Sequence, residues 1–370
     1  MPRIGITRLA NLTGLDTVGL PVYAAYRPLA RTVVTSLGKG LDPLAAKASA
    51  LMESIELWHA EWLEGPARLA SYPELLATET VVDLGGLPIT RGGRVDLDES
   101  RGWIDGVDLV SGHRMWLPFE MMSLNLSLDL ATQASSIGLL RSSNGLASGN
   151  HVLEALAHAL CEVIERDADA RWRASTQTRR LDLDTVTDAA AREVLDRLSA
   201  AGLRTAVWDL TSDVGVPAYG CTILADPRAG DWRAVGVHEG AGCHRCPAVA
   251  LTRALTEAAQ VRLTCVAGSR DDIHRDDLDK ANDIEVAEQI WAELDEIPAT
   301  ERFLGQQDEG TWSLAEDVRW LLDQLTGAGI TQVAALDLTR SDLGVPVVKV
   351  LVPGLLGPAG DCEPVTGGGP

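Results

Sequence analysis

Three segments of this chain repeat one pattern. Ala46-x3-Ala50-Leu51-x-Glu53-x2-Glu56, Ala155-x3-Ala159-Leu160-x-Glu162-x2-Glu165 and Ala250-x3-Ala254-Leu255-x-Glu257-x2-Gln260 align residue for residue. The copies lie roughly 100 residues apart, far above the period of a stacked solenoid. The reading is one strand–loop–helix module used three times in one architecture. Each copy follows a strand signal and a glycine-containing loop: 31–36 with Gly38-Lys39-Gly40, 137–142 with the loop 143–150, and 233–238 with Gly240-Ala241-Gly242.

Helical geometry gives the repeat chemical meaning. At about 100° per residue, Leu44, Ala48, Leu51, Ile55, Trp58 and Trp62 form one apolar stripe of the first helix, with Ser49, Glu53 and Glu56 nearly opposite. In the second helix Leu153, Leu156, Leu160, Val163 and Ile164 form the core stripe, while Glu154, His158, Glu162 and Glu165 share the other side. The ordinary reading of such a face is solvation. Against it, these carboxylates are like-charged neighbours at helical spacing, which is repulsive. A cation between them relieves that cost, and glutamate oxygens are hard ligands suited to Mg2+, which usually takes phosphate oxygens as well. Asp42-Pro43 marks the start of the first helix, a capping side chain followed by proline at the first helical position. Strand signals at 205–210, 218–225, 333–337 and 345–352 add sheets, so the expected fold is α/β (α+β), mixed sheets packed with helices.

The charge excludes one class of function. A net charge of −21 argues against non-specific nucleic-acid binding, which needs a positive surface. No run of about 18 apolar residues is uninterrupted, so no membrane span is expected. The first ten residues hold Arg3 and Arg8 and no apolar core of a signal peptide. The 6 cysteines are scattered, which points to a cytoplasmic setting. Cys243-His244-Arg245-Cys246 has CxxC spacing, yet no second Cys/His pair stands at zinc-ligand distance. Gly38-Lys39-Gly40 places a lysine where phosphate could bind, but GxxxxGK[ST] is absent, so any nucleotide site is not of the Walker type.

Together these motifs resemble the YcaO family. Gly38-Lys39-Gly40 with Ser49, Glu53 and Glu56 resembles its first nucleotide motif. Asn144-Gly145, Gly149-Asn150, Glu154, Glu162, Glu165 and Arg166 resemble the second, and Glu257-x2-Gln260 the third. The resemblance implies a single domain over 1–370, with the ATP and magnesium motifs within 36–262; the Gly- and Pro-rich composition of 64–115 reads as a variable surface region, and the glycine-rich 357–370 as a flexible tail. It implies ATP and Mg2+ as cofactors, with Glu53, Glu56, Glu162 and Glu165 as magnesium ligands. Lys39, Ser49, Asn150, Glu154, Arg166, Glu257 and Gln260 then belong to the nucleotide site. It also implies a homodimer and a peptide or protein substrate whose backbone amide oxygen is phosphorylated and replaced.

One departure narrows the branch. Many members carry Arg directly after the second Glu of the first motif, where this chain has Leu57, followed by Trp58-His59-Ala60-Glu61. With Thr13-Gly14-Leu15-Asp16, this resembles the branch encoded beside a TfuA-like partner, which implies thioamide formation. The end of the sequence, Pro364-Val365-Thr366-Gly367-Gly368-Gly369-Pro370, lacks the PxPxP tail common in azoline-forming members. The alternatives are an azoline-forming cyclodehydratase acting on Cys, Ser or Thr of a precursor peptide, and a non-catalytic scaffold.

Overall fold

A computed structural model describes residues 2–126, 138–176, 178–229, 236–268, 270, 283–305, 312–358 and 362–363. The expected mixture of α and β is present. The chain forms two compact units: residues 1–29, 33–54 and 175–311, and residues 30–32, 55–174 and 312–370. The boundary falls inside helix α1 (Pro43–Glu61), between Ser54 and Ile55.

The first unit holds two antiparallel sheets. β1 (Arg8–Asn11), β2 (Val22–Tyr26) and β3 (Thr35–Lys39) form one. β10 (Leu203–Asp209), β11 (Ala218–Ala225) and β12 (Val237–Cys243) form the other. β9 (Leu181–Asp182) and β13 (Glu301–Arg302) make a short parallel pair. Helices α5 (Ala189–Ala200) and α6 (Pro247–Ala267) pack on the second sheet around Leu20, Val194, Leu198, Val207, Ile223 and Leu255. Helix α7 (Ile284–Glu296) completes the unit.

The second unit is built on a six-stranded sheet of order β4-β6-β14-β15-β8, with β7 paired to β6. Its strands are β4 (Arg68–Ala70), β6 (Arg101–Asp108), β7 (Arg114–Pro118), β8 (Leu146–Ser148), β14 (Ala334–Asp337) and β15 (Val347–Leu351). β5 (Ile89–Thr90) pairs with β16 (Cys362–Glu363). Short helices α2 (Tyr72–Leu76) and α3 (Phe119–Met122) lie in the same unit. Helix α4 (Val152–Ala174) packs on β8 and β15, and α8 (Leu314–Gly327) packs on α4. Residues 64–115 bury Leu75, Val82, Leu84, Leu87 and Trp103 in this unit.

Three of the glycines expected to mark loops sit instead in strands, while Gly40, Gly145 and Gly149 lie outside them. Gly38 lies in β3, and Gly240 and Gly242 lie in β12. In the second module the strand β8 falls inside the stretch expected to be loop, and the apolar segment before it forms only the isolated bridge of Leu139 to Ile89. The physical reason is close approach of a helix. A Cβ on Gly38 would lie 2.0 Å from the backbone N of Ala50, and one on Gly240 would lie 2.2 Å from the N of Ala258. One on Gly242 would lie 2.2 Å from the carbonyl O of Ala250. The Ala-x3-Ala half of the repeat is the helix side of this contact: small residues one turn apart let the helix backbone rest on a glycine strand.

The expected apolar stripe of α1 is corrected for the same reason. Leu44 is 75% exposed, whereas Ala46 and Ala50 are wholly buried. The start of α1 is as expected: Asp42 Oδ1 accepts from the N–H groups of Leu44 (2.8 Å) and Ala45 (3.1 Å). The segments 137, 233–235, 271–282, 306–311, 359–361 and 364–370, with their expected strands, acidic helices and tail, lie outside the described residues.

Candidate functional site

The first unit gathers polar groups from the first and third modules. Glu53 Oε2 accepts from the Leu37 N–H at 3.1 Å, which ties α1 back to β3. Ser49 Oγ accepts from the Lys39 N–H at 3.4 Å. Lys39 Nζ donates to Glu257 Oε2 at 2.6 Å, joining β3 to α6. Gln260 follows one turn later on α6. Burial raises the Glu53 carboxyl to about 7; Arg270, the Leu37 N–H and Lys39 oppose that rise, and Glu257 adds to it. Glu53 and Glu257 thus act on each other beside Lys39 and Arg270, and a divalent cation at the two carboxylates would stabilise them further.

Beyond the third module, Arg262 Nε lies 3.5 Å from Asp16 Oδ2, with side-chain exposures of 8% and 3%. Burial raises the Asp16 carboxyl, while the Val18 N–H and Arg262 hold it down. Asp16 closes the Thr13-Gly14-Leu15-Asp16 motif, so this motif has a packing role: it anchors α6 from the turn after the short helix Thr13–Leu15.

The second unit holds the other candidates. Glu56 Oε1 accepts from Ser148 twice, from the backbone N–H at 2.9 Å and from Oγ at 2.6 Å. Glu154 accepts from the Asn150 N–H at 3.0 Å and from its Nδ2 at 3.2 Å, so these two residues fasten the first turn of α4 to the segment before it. Glu165 is 3% exposed and lies 3.5 Å from Arg166 Nη1. Glu162 is half-buried on the same helix. The expected carboxylate faces are therefore not plain solvated faces.

Sequence reasoning missed two residues here. Ser148 was read as loop, yet it supplies both donors to Glu56. Lys349 was read only as part of a late strand. It is 1% exposed, its Nζ donates to the Ser142 carbonyl, and burial lowers it to about 7 against the attraction of Glu162. A lone lysine in a run of valines and leucines was the available signal.

Among the described residues, no three His, Cys, Asp or Glu side chains already cluster to hold a metal ion. Cys243 is fully buried, and Cys246 precedes α6. No helix among the described residues is long and apolar enough to cross a membrane.

Comparison with known proteins follows these lines. The family described as YcaO cyclodehydratase, ATP- and Mg2+-binding, matches residues 37–356. A protein of Rhizobium leguminosarum bv. trifolii, described as an uncharacterized protein in the tfuA 3' region, is 34% identical over 362 residues, 95% of this chain and 84% of that protein. An uncharacterized protein of Methanothermobacter thermautotrophicus is 33% identical over 364 residues, 95% of this chain and 90% of its own length. Among solved structures, YcaO from Methanopyrus kandleri bound with AMPPCP and Mg2+ superposes with a TM-score of 0.73 at 24% identity, covering 96% of this chain and 87% of that one. A heterocyclase in complex with substrate and cofactor gives a TM-score of 0.77 at 22% identity; it covers 95% of this chain, which spans 50% of that chain's length.

Proposed function

This chain belongs to the YcaO family, and from that premise we propose that it activates a peptide backbone amide by ATP-dependent phosphorylation and, with a TfuA-like partner, replaces the amide oxygen with sulfur. ATP and Mg2+ are the cofactors of the family. The observation that carries the reading is the gathering of Lys39, Ser49, Glu53 and Glu257 from two of the three modules into one group of the first unit.

The donor chemistry fits the cofactors. Glu53, Glu56, Glu162 and Glu165 offer hard carboxylate oxygens for Mg2+. Lys39, Ser49, Asn150, Glu154, Arg166, Glu257 and Gln260 offer the mixture of cations, amides and acceptors that a nucleotide needs. An amide oxygen is a poor leaving group and phosphate a good one, so ATP supplies the leaving group and Mg2+ neutralises the charge on it. The protein's own part is positional. Ser148 fixes the Glu56 carboxylate through two donors, Leu37 fixes Glu53 through one, and Lys39 holds Glu257 in place. Each carboxylate is thus aimed in advance, which lowers the cost of ordering it when a ligand arrives.

Two features favour sulfur. The relative from the tfuA 3' region aligns over nearly the whole chain. Leu57, at the position where many members carry Arg, is 7% exposed and packs inward, so the substitution leaves no empty polar site at that point of α1. Mass spectrometry of a candidate peptide, incubated with this chain, a TfuA-like protein, ATP and a sulfide source, tests the reading. Replacement of O by S adds about 16 mass units, whereas ring closure with loss of water subtracts about 18. A product lighter by one water, formed without sulfide, replaces the reading with an azoline-forming cyclodehydratase.

A further inference from the structure

Pro346-Val347-Val348-Lys349-Val350-Leu351-Val352 is an apolar strand with one lysine at its centre. β15 runs inside the six-stranded sheet between β14 and β8, with Lys349 opposite Leu336 on one side and Leu146 on the other. All five residues of the strand are buried. A lysine there cannot carry its ammonium out to water, and a buried charge is expensive unless something compensates it. No ion pair of Lys349 exists among the described residues. Its one hydrogen bond there goes to the carbonyl of Ser142.

The surroundings show what the ammonium organises. Val350, the next residue, donates its N–H to the carbonyl of Gly145 at 2.9 Å. Consecutive residues of β15 therefore hold both ends of the turn 142–145. Gly145 has φ +76°, and a Cβ on it would lie 2.4 Å from the carbonyl O of Val350, so the turn is pressed directly on the strand. Ser142, Asn144, Val163 and Lys349 line one small cavity, and the Asn144 Oδ1 is buried without a hydrogen-bond partner. Val163 follows Glu162, whose charge attracts Lys349 while Arg141 repels it. The turn leads straight into β8, whose Ser148 holds Glu56, and then to Asn150 and α4.

We infer that Lys349 is a positioning residue for the second module: its buried Nζ clamps the turn 142–145, which leads into β8 and α4. The inference rests on the reading of Glu162 as a magnesium-site carboxylate. Lys349 acts through that turn. Outer partners of this kind are worth about 10–100-fold in metal affinity, and a charge buried for function destabilises the fold that carries it.

The test is Lys349→Met, which keeps the length and apolar stem and removes the charge. Melting temperature and ATP binding across a magnesium titration are measured for the wild-type chain and the variant. The expected result is a melting temperature equal to or above wild type, with ATP binding weakened roughly 10-fold or more and the magnesium dependence moved to higher concentration. A lowered melting temperature makes the lysine a fold-holding residue and overturns the inference. An unchanged melting temperature with unchanged magnesium dependence overturns it as well. A wild-type chain that binds ATP equally with and without magnesium overturns the reading of the site, and the inference with it.

Discussion

Lys39 Nζ lies 2.6 Å from Glu257 Oε2, so a single charged hydrogen bond ties the strand of the first module to the helix of the third. Both side chains are about one-fifth exposed, at 21% and 23%, so solvent screens part of the attraction. Lys39 also holds down the Glu53 carboxyl, which Glu257 pushes up. Lys39→Met removes the charged hydrogen bond to Glu257 and one of the two cations, Lys39 and Arg270, that hold the Glu53 carboxyl down. We expect ATP affinity to fall about tenfold while stability changes by about 1 kcal/mol or less, read by calorimetry and by melting. Large destabilisation with intact ATP affinity would make the pair a structural tie only.

The glycine strands carry a second prediction. Gly240→Ala puts a Cβ 2.2 Å from the backbone N of Ala258, and neither β12 nor α6 can yield without separating. A loss of about 1–3 kcal/mol is expected, as for overpacking of a tight core. Gly65→Ala is the control, because an added Cβ there meets nothing within 4 Å. Equal melting temperatures for the two variants would refute close approach as the reason for glycine in β12.

His59 sets a pH dependence. Its Nδ1 lies 2.7 Å from the carbonyl O of Ile55, which requires the N–H on that nitrogen, and the residue is 2% exposed. Burial lowers it from 6.5, with Arg340 acting in the same direction and the Ile55 bond opposing. Below 6.5 the unfolded chain therefore binds more protons than the folded one, and stability falls as pH falls toward the folded value. Melting at about pH 8 and about pH 5.5 should show a larger acid loss for wild type than for His59→Asn, whose amide can still donate to Ile55. An equal acid loss in both would show that His59 is protonated in the fold.

The helices were more legible in the sequence than the strands before them. The glutamates of the repeat and the cap at Asp42 could be read because helical periodicity and capping are local properties. The strands before the helices could not be bounded, because a glycine that admits a helix backbone looks in sequence like a glycine that admits a turn. Gly38, Gly240 and Gly242 belong to the first kind. The buried side of α1 was misassigned for the same reason: a contact this close selects Ala46 and Ala50 over Leu44. Lys349 was passed over because its meaning depends on the turn 142–145, some 200 residues away in the chain, reached only through the sheet.

The central claim is that the chain binds ATP in a magnesium-dependent way without a Walker lysine, using Glu162 among its carboxylates. Calorimetry of ATP binding with Mg2+ and with EDTA, on wild type and on Glu162→Gln, tests it most directly, with melting temperature recorded alongside. Glu162 is half-buried and lies off the core stripe of α4, so the variant should melt like wild type. The account predicts binding that collapses in EDTA and weakens at least about tenfold in the folded variant. ATP affinity unchanged in EDTA, or unchanged in Glu162→Gln, would contradict it.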